Sequence, residues 1–228
     1  MFGRIAGRYD LLNRLMTVGQ DRRWREELIR RIALQPGERL LDLGCGTGDL
    51  ALEALHRCPA ARVVGADFAS PMLAIARRRT PAGRADWILA DALHLPFAKS
   101  TFDVVVSGFL LRNVSDVDAA LAEQRRLLNP NRGRMAALDT TPPSEGPLRP
   151  LLEFHLGRVI PWLGRWIGRD AEAYNYLPGS TRRFLTADVL ADRMRRLGFR
   201  RVGYVRRMFG TIALHWGSRE DPKGNSGH

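Results

Sequence analysis

The chain has almost no lysine. Of its 36 lysine and arginine residues only Lys99 and Lys223 are lysines, and arginine supplies the rest. A P-loop nucleotide site needs a lysine directly after its second glycine, so that class is excluded. Cysteine is just as scarce. Cys45 and Cys58 are the two present, too few for a disulfide framework or a zinc cluster, and they fit a reducing compartment. No run approaches 18 apolar residues, which argues against a membrane-spanning helix. The opening "MFGRIAGRYD" lacks the apolar block of a secretory signal. These absences together predict a cytoplasmic protein.

Positive charge is what the chain has in excess, a formal +12 over 228 residues. Such a surface attracts polyanions, either nucleic acid or the anionic inner face of a membrane. The arginines come as doublets and one triplet, Arg77 to Arg79, spread along the whole chain. No single basic tail marks a nucleic-acid arm, and a general compositional bias gives the same pattern. The hydrophobic content of 45% is that of a globular domain with a sizeable core.

Apolar residues at helical spacing (Leu11, Leu12, Leu15, Met16, then Trp24, Leu28 and Ile32) predict a helical cap over residues 1–35. Strand-like runs then alternate with helical ones. "RLLDL" is a strand, "DLALEALHR" a helix, "ARVVGAD" a strand ending on Asp67. "SPMLAIARRR" is a helix with Ser70 as its cap, and "ADWILAD" a strand ending on Asp91. "FDVVVSGF" has the β-branched run of a strand buried on both faces. A helix capped by Ser115 and a fifth strand, "GRMAAL", follow. The alternation implies βαβ units: an α/β fold with a mostly parallel seven-stranded sheet and helices on both faces. Residues 148–180 read as a helical insert after the fifth strand. "TADVLADRMRRLG" is the last long helix, and "FRRVGYVRRM" and "GTIALHWG" close the sheet. Residues 1–216 form one domain, and 217–228 are a polar tail expected to be disordered.

In an open α/β sheet, ligands bind beyond the carboxyl ends of the strands. The loop Gly44-Cys45-Gly46-Thr47-Gly48 leaves the first strand there, and glycine lets a ligand touch the main chain. A dinucleotide loop reads Gly-x-Gly-x-x-Gly, whereas this one is Gly-x-Gly-x-Gly with Asp42 two residues ahead. That spacing resembles the S-adenosylmethionine loop of class I methyltransferases, with their Rossmann-like fold. A tight strand-to-helix turn with no ligand is the plainer alternative. Asp67 and Asp91, at the next two strand ends, favour the ligand. Asp67 can accept from ribose hydroxyls, Asp91 and Ala92 can meet the adenine edge, and Met72 its face.

Four stretches, "RIAGRYDLLNRLMTVGQDRRW", "LDLGCGTGDLA", "FLLRNVSD" and "DAEAYNYLPGSTRRF", resemble the ubiquinone/menaquinone biosynthesis C-methyltransferase family. The first carries its most specific motif, here Tyr9, Asp10, Asn13 and Trp24. The resemblance implies methyl transfer from S-adenosylmethionine to a ring carbon of a prenylated quinol, demethylmenaquinol in a menaquinone pathway. It covers about Phe2 to Trp216. Departures from the family pattern concern the site. Gly108 stands for a serine that helps hold the cofactor, and Leu110 for a glycine. Asp139 stands for a glutamate and Asp21 for a histidine.

A phenol has a pKa near 10 and must lose its proton for the ring carbon to attack. Arg112, beyond the fourth strand, is the candidate to stabilise the phenolate, with Tyr9 and Asn113 beside it; an Arg-Asn helix cap is the alternative. Leu111, His155 and Tyr174 are candidates for the acceptor wall, with Tyr176 near them. A lone helical histidine such as His155 is more often simply packed. The insert, with Phe154, Trp162 and Trp166 among arginines, suggests a cover over a prenyl chain and peripheral contact with an anionic membrane. Rival readings are methylation of a soluble phenolic compound, an RNA methyltransferase, and a non-catalytic cofactor-binding protein. No separate RNA-binding module is visible, so no specific nucleic-acid partner is expected.

Overall fold

The computed structural model of the chain describes residues 19–142 and 184–220. Most of the N-terminal cap, the 148–180 insert and the end of the tail lie outside these residues. The described part begins with α1 (Asp21–Ile32). Then come β1 (Arg39–Leu43), α2 (Asp49–Arg57), β2 (Arg62–Asp67), α3 (Ser70–Arg79), β3 (Ala85–Leu89) and β4 (Val104–Gly108). A 3-10 turn, Leu111–Asn113, precedes α4 (Val117–Leu127) and β5 (Gly133–Thr140), and a second, Met208–Gly210, lies between the last two strands. The chain closes with α5 (Ala187–Arg196), β6 (Arg200–Arg207) and β7 (Ile212–Arg219).

The seven strands form one sheet in the order β3-β2-β1-β4-β5-β7-β6. The first five strands run parallel to their neighbours, and β7 pairs antiparallel with both β5 and β6. Side chains alternate across a strand, so adjacent apolar residues feed opposite faces. Leu40 and Val104 join Trp24, Leu28 and Ala51 on one face. Leu41 and Val105 join Leu121, Leu127, Leu190 and Met194 on the other. Thus α1 and α2 cover one side and α4 and α5 the other, each burying an apolar stripe.

Several boundaries differ from the sequence reading. β7 runs on to Arg219, so residues 217–219, expected in the disordered tail, pair with β5 in the sheet. The cap of α3 is Ala69 rather than Ser70 and has no side-chain bond; instead the Asp67 carboxylate accepts from the Ala69 N–H at 2.8 Å. The cap of α4 is Asp116 rather than Ser115, accepting from the Ala119 N–H at 3.0 Å. β3 stops at Leu89, because Asp91 turns back to bridge His94.

Trp87, on β3, lies in register with Gly65 of β2. Its ring occupies the place that a side chain on Gly65 would take and also crosses Gly48. Gly65→Ala should therefore destabilise the fold by about 1–3 kcal/mol, as overpacking does. Trp87→Leu in the same chain should recover most of that loss; thermal unfolding of the single and double variants measures both.

Candidate functional site

The carboxyl ends of β1, β2 and β4 open into a cavity of about 420 Å³. It lies where the strand order reverses, with β2 on one side of β1 and β4 on the other. The glycine loop forms its floor. Gly44, Gly46 and Gly48 have φ of 66°, 55° and 87°, a region that side chains avoid. Each glycine faces something different. A Cβ on Gly48 would meet the Trp87 ring at 2.6 Å, and one on Gly44 would meet the Leu110 side chain at 2.7 Å. Gly46 alone faces open space. Gly44 and Gly46 line the cavity with Thr47, whereas Gly48 sits behind it as the left-handed cap of α2.

Three aspartates reach the cavity as the sequence suggested, each held differently. The Asp42 side chain is only 1% exposed. Its Oδ2 accepts from the Ala51 N–H at 3.0 Å, while Oδ1 is buried with no partner. Burial pushes the Asp42 carboxyl up to about 7; neighbouring Asp67 and Asp49 add to the rise, and Arg25 opposes it. The Asp67 carboxylate accepts from the Gly46 N–H at 2.7 Å and from the Ala69 N–H at 2.8 Å. Burial raises its pKa and those backbone donors pull it down. Asp91 accepts from the Leu93 N–H at 2.9 Å and lines the cavity beside Ala92. Met72 and Gly108 complete the wall.

The acceptor-side candidates divide. Asn113 lines the cavity, its Nδ2 donating to the Phe109 carbonyl at 2.7 Å. Arg112 does not line it. Its side chain is 3% exposed and donates to Asp139 Oδ1 at 2.8 Å, with Asp139 equally buried. The guanidinium also stands 4.9 Å from the centre of the Phe109 ring, and its Nε has no partner. Leu111 packs into the core at 1% exposure, away from the cavity. Tyr9, His155, Tyr174 and Tyr176 lie outside the described residues.

The sequence alone does not single out Arg25, which projects from α1 into the cavity. It donates to Asp21 at 2.6 Å and to Asp49 at 2.9 Å. The one available signal is the four-residue spacing from Asp21 on the helix. Cys45 also lines the wall, where burial and the aspartates push its thiol well above the usual range and leave it unreactive. Four aspartates (42, 49, 67 and 91) thus face one arginine across the described wall. The chain as a whole is strongly cationic, but this cavity is acidic.

A model of the ubiE/COQ5 methyltransferase family matches residues 1–219. The ubiquinone/menaquinone biosynthesis C-methyltransferase UbiE of Desulfotalea psychrophila is 47% identical over 217 residues, 95% of this chain and 88% of that one. The demethylmenaquinone methyltransferase of Thermus thermophilus is 44% identical, over 96% of this chain and all of its own. A likeness in fold extends to Haemonchus contortus phosphoethanolamine N-methyltransferase 2 in complex with S-adenosyl-L-methionine, with a TM-score of 0.67 and 15% identity over 87% of this chain and 53% of that one. The sheet order, the glycine loop and the acidic cavity are therefore those of a member of the ubiE/COQ5 methyltransferase family, to which this chain belongs.

Proposed function

We propose that the protein transfers a methyl group from S-adenosylmethionine to a ring carbon of a prenylated quinol, demethylmenaquinol in particular. The observation that carries the donor half is the acidic cavity with its orphaned Asp42 Oδ1. A buried acceptor without a partner invites a cationic donor. The names of the two close relatives support the acceptor half.

The residues present fit the donor. Bound there, S-adenosylmethionine supplies a methyl already activated on a sulfonium. Asp91 and Ala92 would hold the adenine edge, and Asp67 the ribose with the lone pairs its backbone bonds leave over. The strand tips of β3, β2 and β1 lie side by side, so with the ribose on Asp67 the amino-acid end would lie on the side of Asp42. Asp42 would take the ammonium group there. Gly46, with nothing over it, leaves room for close approach to the main chain.

The acceptor enters beside Asn113 and Gly108. Asn113, fixed by the Phe109 carbonyl, can orient a quinol oxygen. Arg112 stands behind it, committed to Asp139. In this reading Arg112 is a positioning residue that holds the turn Leu111–Asn113 against β5. Its backbone N–H supports the same link, donating to Asp139 Oδ2 at 3.2 Å. Tyr9 and His155 are further candidates near the quinol.

Three measurements test this. Purified protein with labelled donor should methylate demethylmenaquinol on carbon, and product mass with ring position reads the result. Methylation on oxygen only, or only of soluble phenols, would defeat the acceptor assignment.

Binding of the donor should release a proton. An ammonium against Asp42 lowers a carboxyl that otherwise titrates at about 7. Donor affinity should then fall as pH drops below that value, and calorimetry in buffers of different ionisation heat should count the proton. Asp42→Asn should weaken binding roughly 10- to 100-fold and flatten the profile. In the free protein the raised value costs stability as pH climbs from about 4 towards 7, because the unfolded chain has already given up the proton. Asp42→Asn should remove that slope.

Removing Arg112 alone strands a buried carboxylate. Arg112→Ala should lower unfolding stability by about 3–5 kcal/mol, whereas Arg112→Met with Asp139→Leu should recover most of it. If the stable double variant still turns over demethylmenaquinol at the normal rate, no role in positioning is left for the pair.

A further inference from the structure

We propose that the opposite edge of the sheet carries a second site, a groove that binds a phosphate-bearing anion. In parallel pairing the first residues of neighbouring strands lie side by side. Arg39 of β1 is the register partner of Arg62 of β2. Val63 pairs with Ala85, which sets Arg84 next to Arg62 in the same row. Neighbouring strands are about 4.8 Å apart, so the three arginines span about 10 Å. They line a groove of about 410 Å³ together with Gly83 and Asp86.

Like charges in adjacent register positions repel, and among the described residues none of these three side chains has an ion pair. Arg84 donates to the Pro59 carbonyl at 2.6 Å, and Arg39 stands 5.5 Å from the centre of the Phe102 ring. Neither contact is with a carboxylate. The Arg62 backbone N–H donates to the Glu38 carbonyl at 2.9 Å, but its side chain has no ion pair or hydrogen bond among the described residues. Asp86 is the one acid of the groove. Other arginines of the described residues are matched by carboxylates, as in Arg134–Glu38 and Arg207–Glu27. The groove sets three arginines without such a match side by side.

Guanidinium forks suit phosphate oxygens, giving paired charge-assisted bonds. Three forks across about 10 Å suit an anion with more than one phosphate better than a single small ion. Strands β1 and β2 separate the groove from the catalytic cavity by about 15–20 Å, so the methyl donor is not its ligand. The phosphate can belong to a free oligophosphate or to the headgroup of an anionic lipid.

Both sources are tested on the full chain. One arm titrates inorganic tripolyphosphate by calorimetry; the other measures flotation with phosphatidylglycerol vesicles against phosphatidylcholine ones. The variant Arg39→Gln/Arg62→Gln/Arg84→Gln is compared with Arg23→Gln/Arg78→Gln/Arg196→Gln, which removes the same charge elsewhere. A loss of affinity of about tenfold or more in the groove variant, with little change in the control, is expected in at least one arm. Loss in the first arm identifies a free phosphate compound, and loss in the second alone a lipid headgroup. Donor binding should stay unchanged in both variants. If the triple variant fails to fold, Arg62→Gln alone should still show a severalfold loss, since that side chain makes no hydrogen bond or ion pair among the described residues. Equal losses in groove and control variants, or no binding in either arm, overturns the proposal.

Discussion

One carboxylate joins the two loops that make the cavity at the carboxyl ends of the strands. Asp67 ends β2 and accepts one N–H from the glycine loop after β1 and another from the cap of α3. Both donors belong to irregular backbone that no ladder satisfies, and at this depth an unpaired N–H would be costly. The latch sets the distance between the tips of β1 and β2, and so the shape of the floor between them. It also keeps Asp67 useful. Burial raises its pKa, and the backbone donors limit that rise. A carboxylate oxygen has two lone pairs, so the latch leaves one on each for a ligand hydroxyl. Structure and binding thus draw on the same group.

Charge is sorted over the molecule in a way its total does not reveal. A protein at +12 should repel a cationic methyl donor at long range. The acidic wall of the cavity reverses the local field, and a low-dielectric cleft concentrates such a field. Arg25 limits the reversal. Bonded to both Asp21 and Asp49, it ties α1 to the start of α2 and keeps the aspartates from raising one another further. At the other end of the sheet the three arginines of the strand starts have no such partners. Among the described residues, acids thus dominate the cavity at the carboxyl ends of the strands and arginines the groove at their amino ends.

Much of this was legible in the residues, and the failures have causes. Periodicity found every strand and helix of the described core, because burial on two faces of one sheet leaves little freedom in the pattern. Caps slipped by one residue where two suitable side chains adjoin. Ser115 and Asp116 both cap well in principle, and the deeper turn selected Asp116. At α3 the capping group is supplied from the strand tip two residues earlier, outside the usual position. The glycines were read as room for a ligand. Only the fold shows that Trp87 and Leu110 occupy the space of two of them. Arg112 illustrates the same limit. Its chemistry suggests an exposed phenolate partner, but Asp139, distant in sequence and noticed only as a departure from the family pattern, meets it in the core.

The two remaining departures belong together. Gly108 and Leu110 line the same wall; against the pattern the sequence resembles, one lacks a side chain and the other adds a branched one. Leu110 fills the space over Gly44. Gly108 does not open a void in exchange, because the Leu50 side chain lies 3.2 Å from where its Cβ would be. The wall is therefore closed by apolar contacts on both sides of the glycine loop. The hydroxyl that the pattern would place here is not replaced from β4, since Ser107 is buried and successive residues of a strand face opposite sides. In the proposed donor mode, recognition therefore falls on the aspartates, and Asp42, whose carboxyl burial pushes up to about 7, would have to give up its proton to take the ammonium.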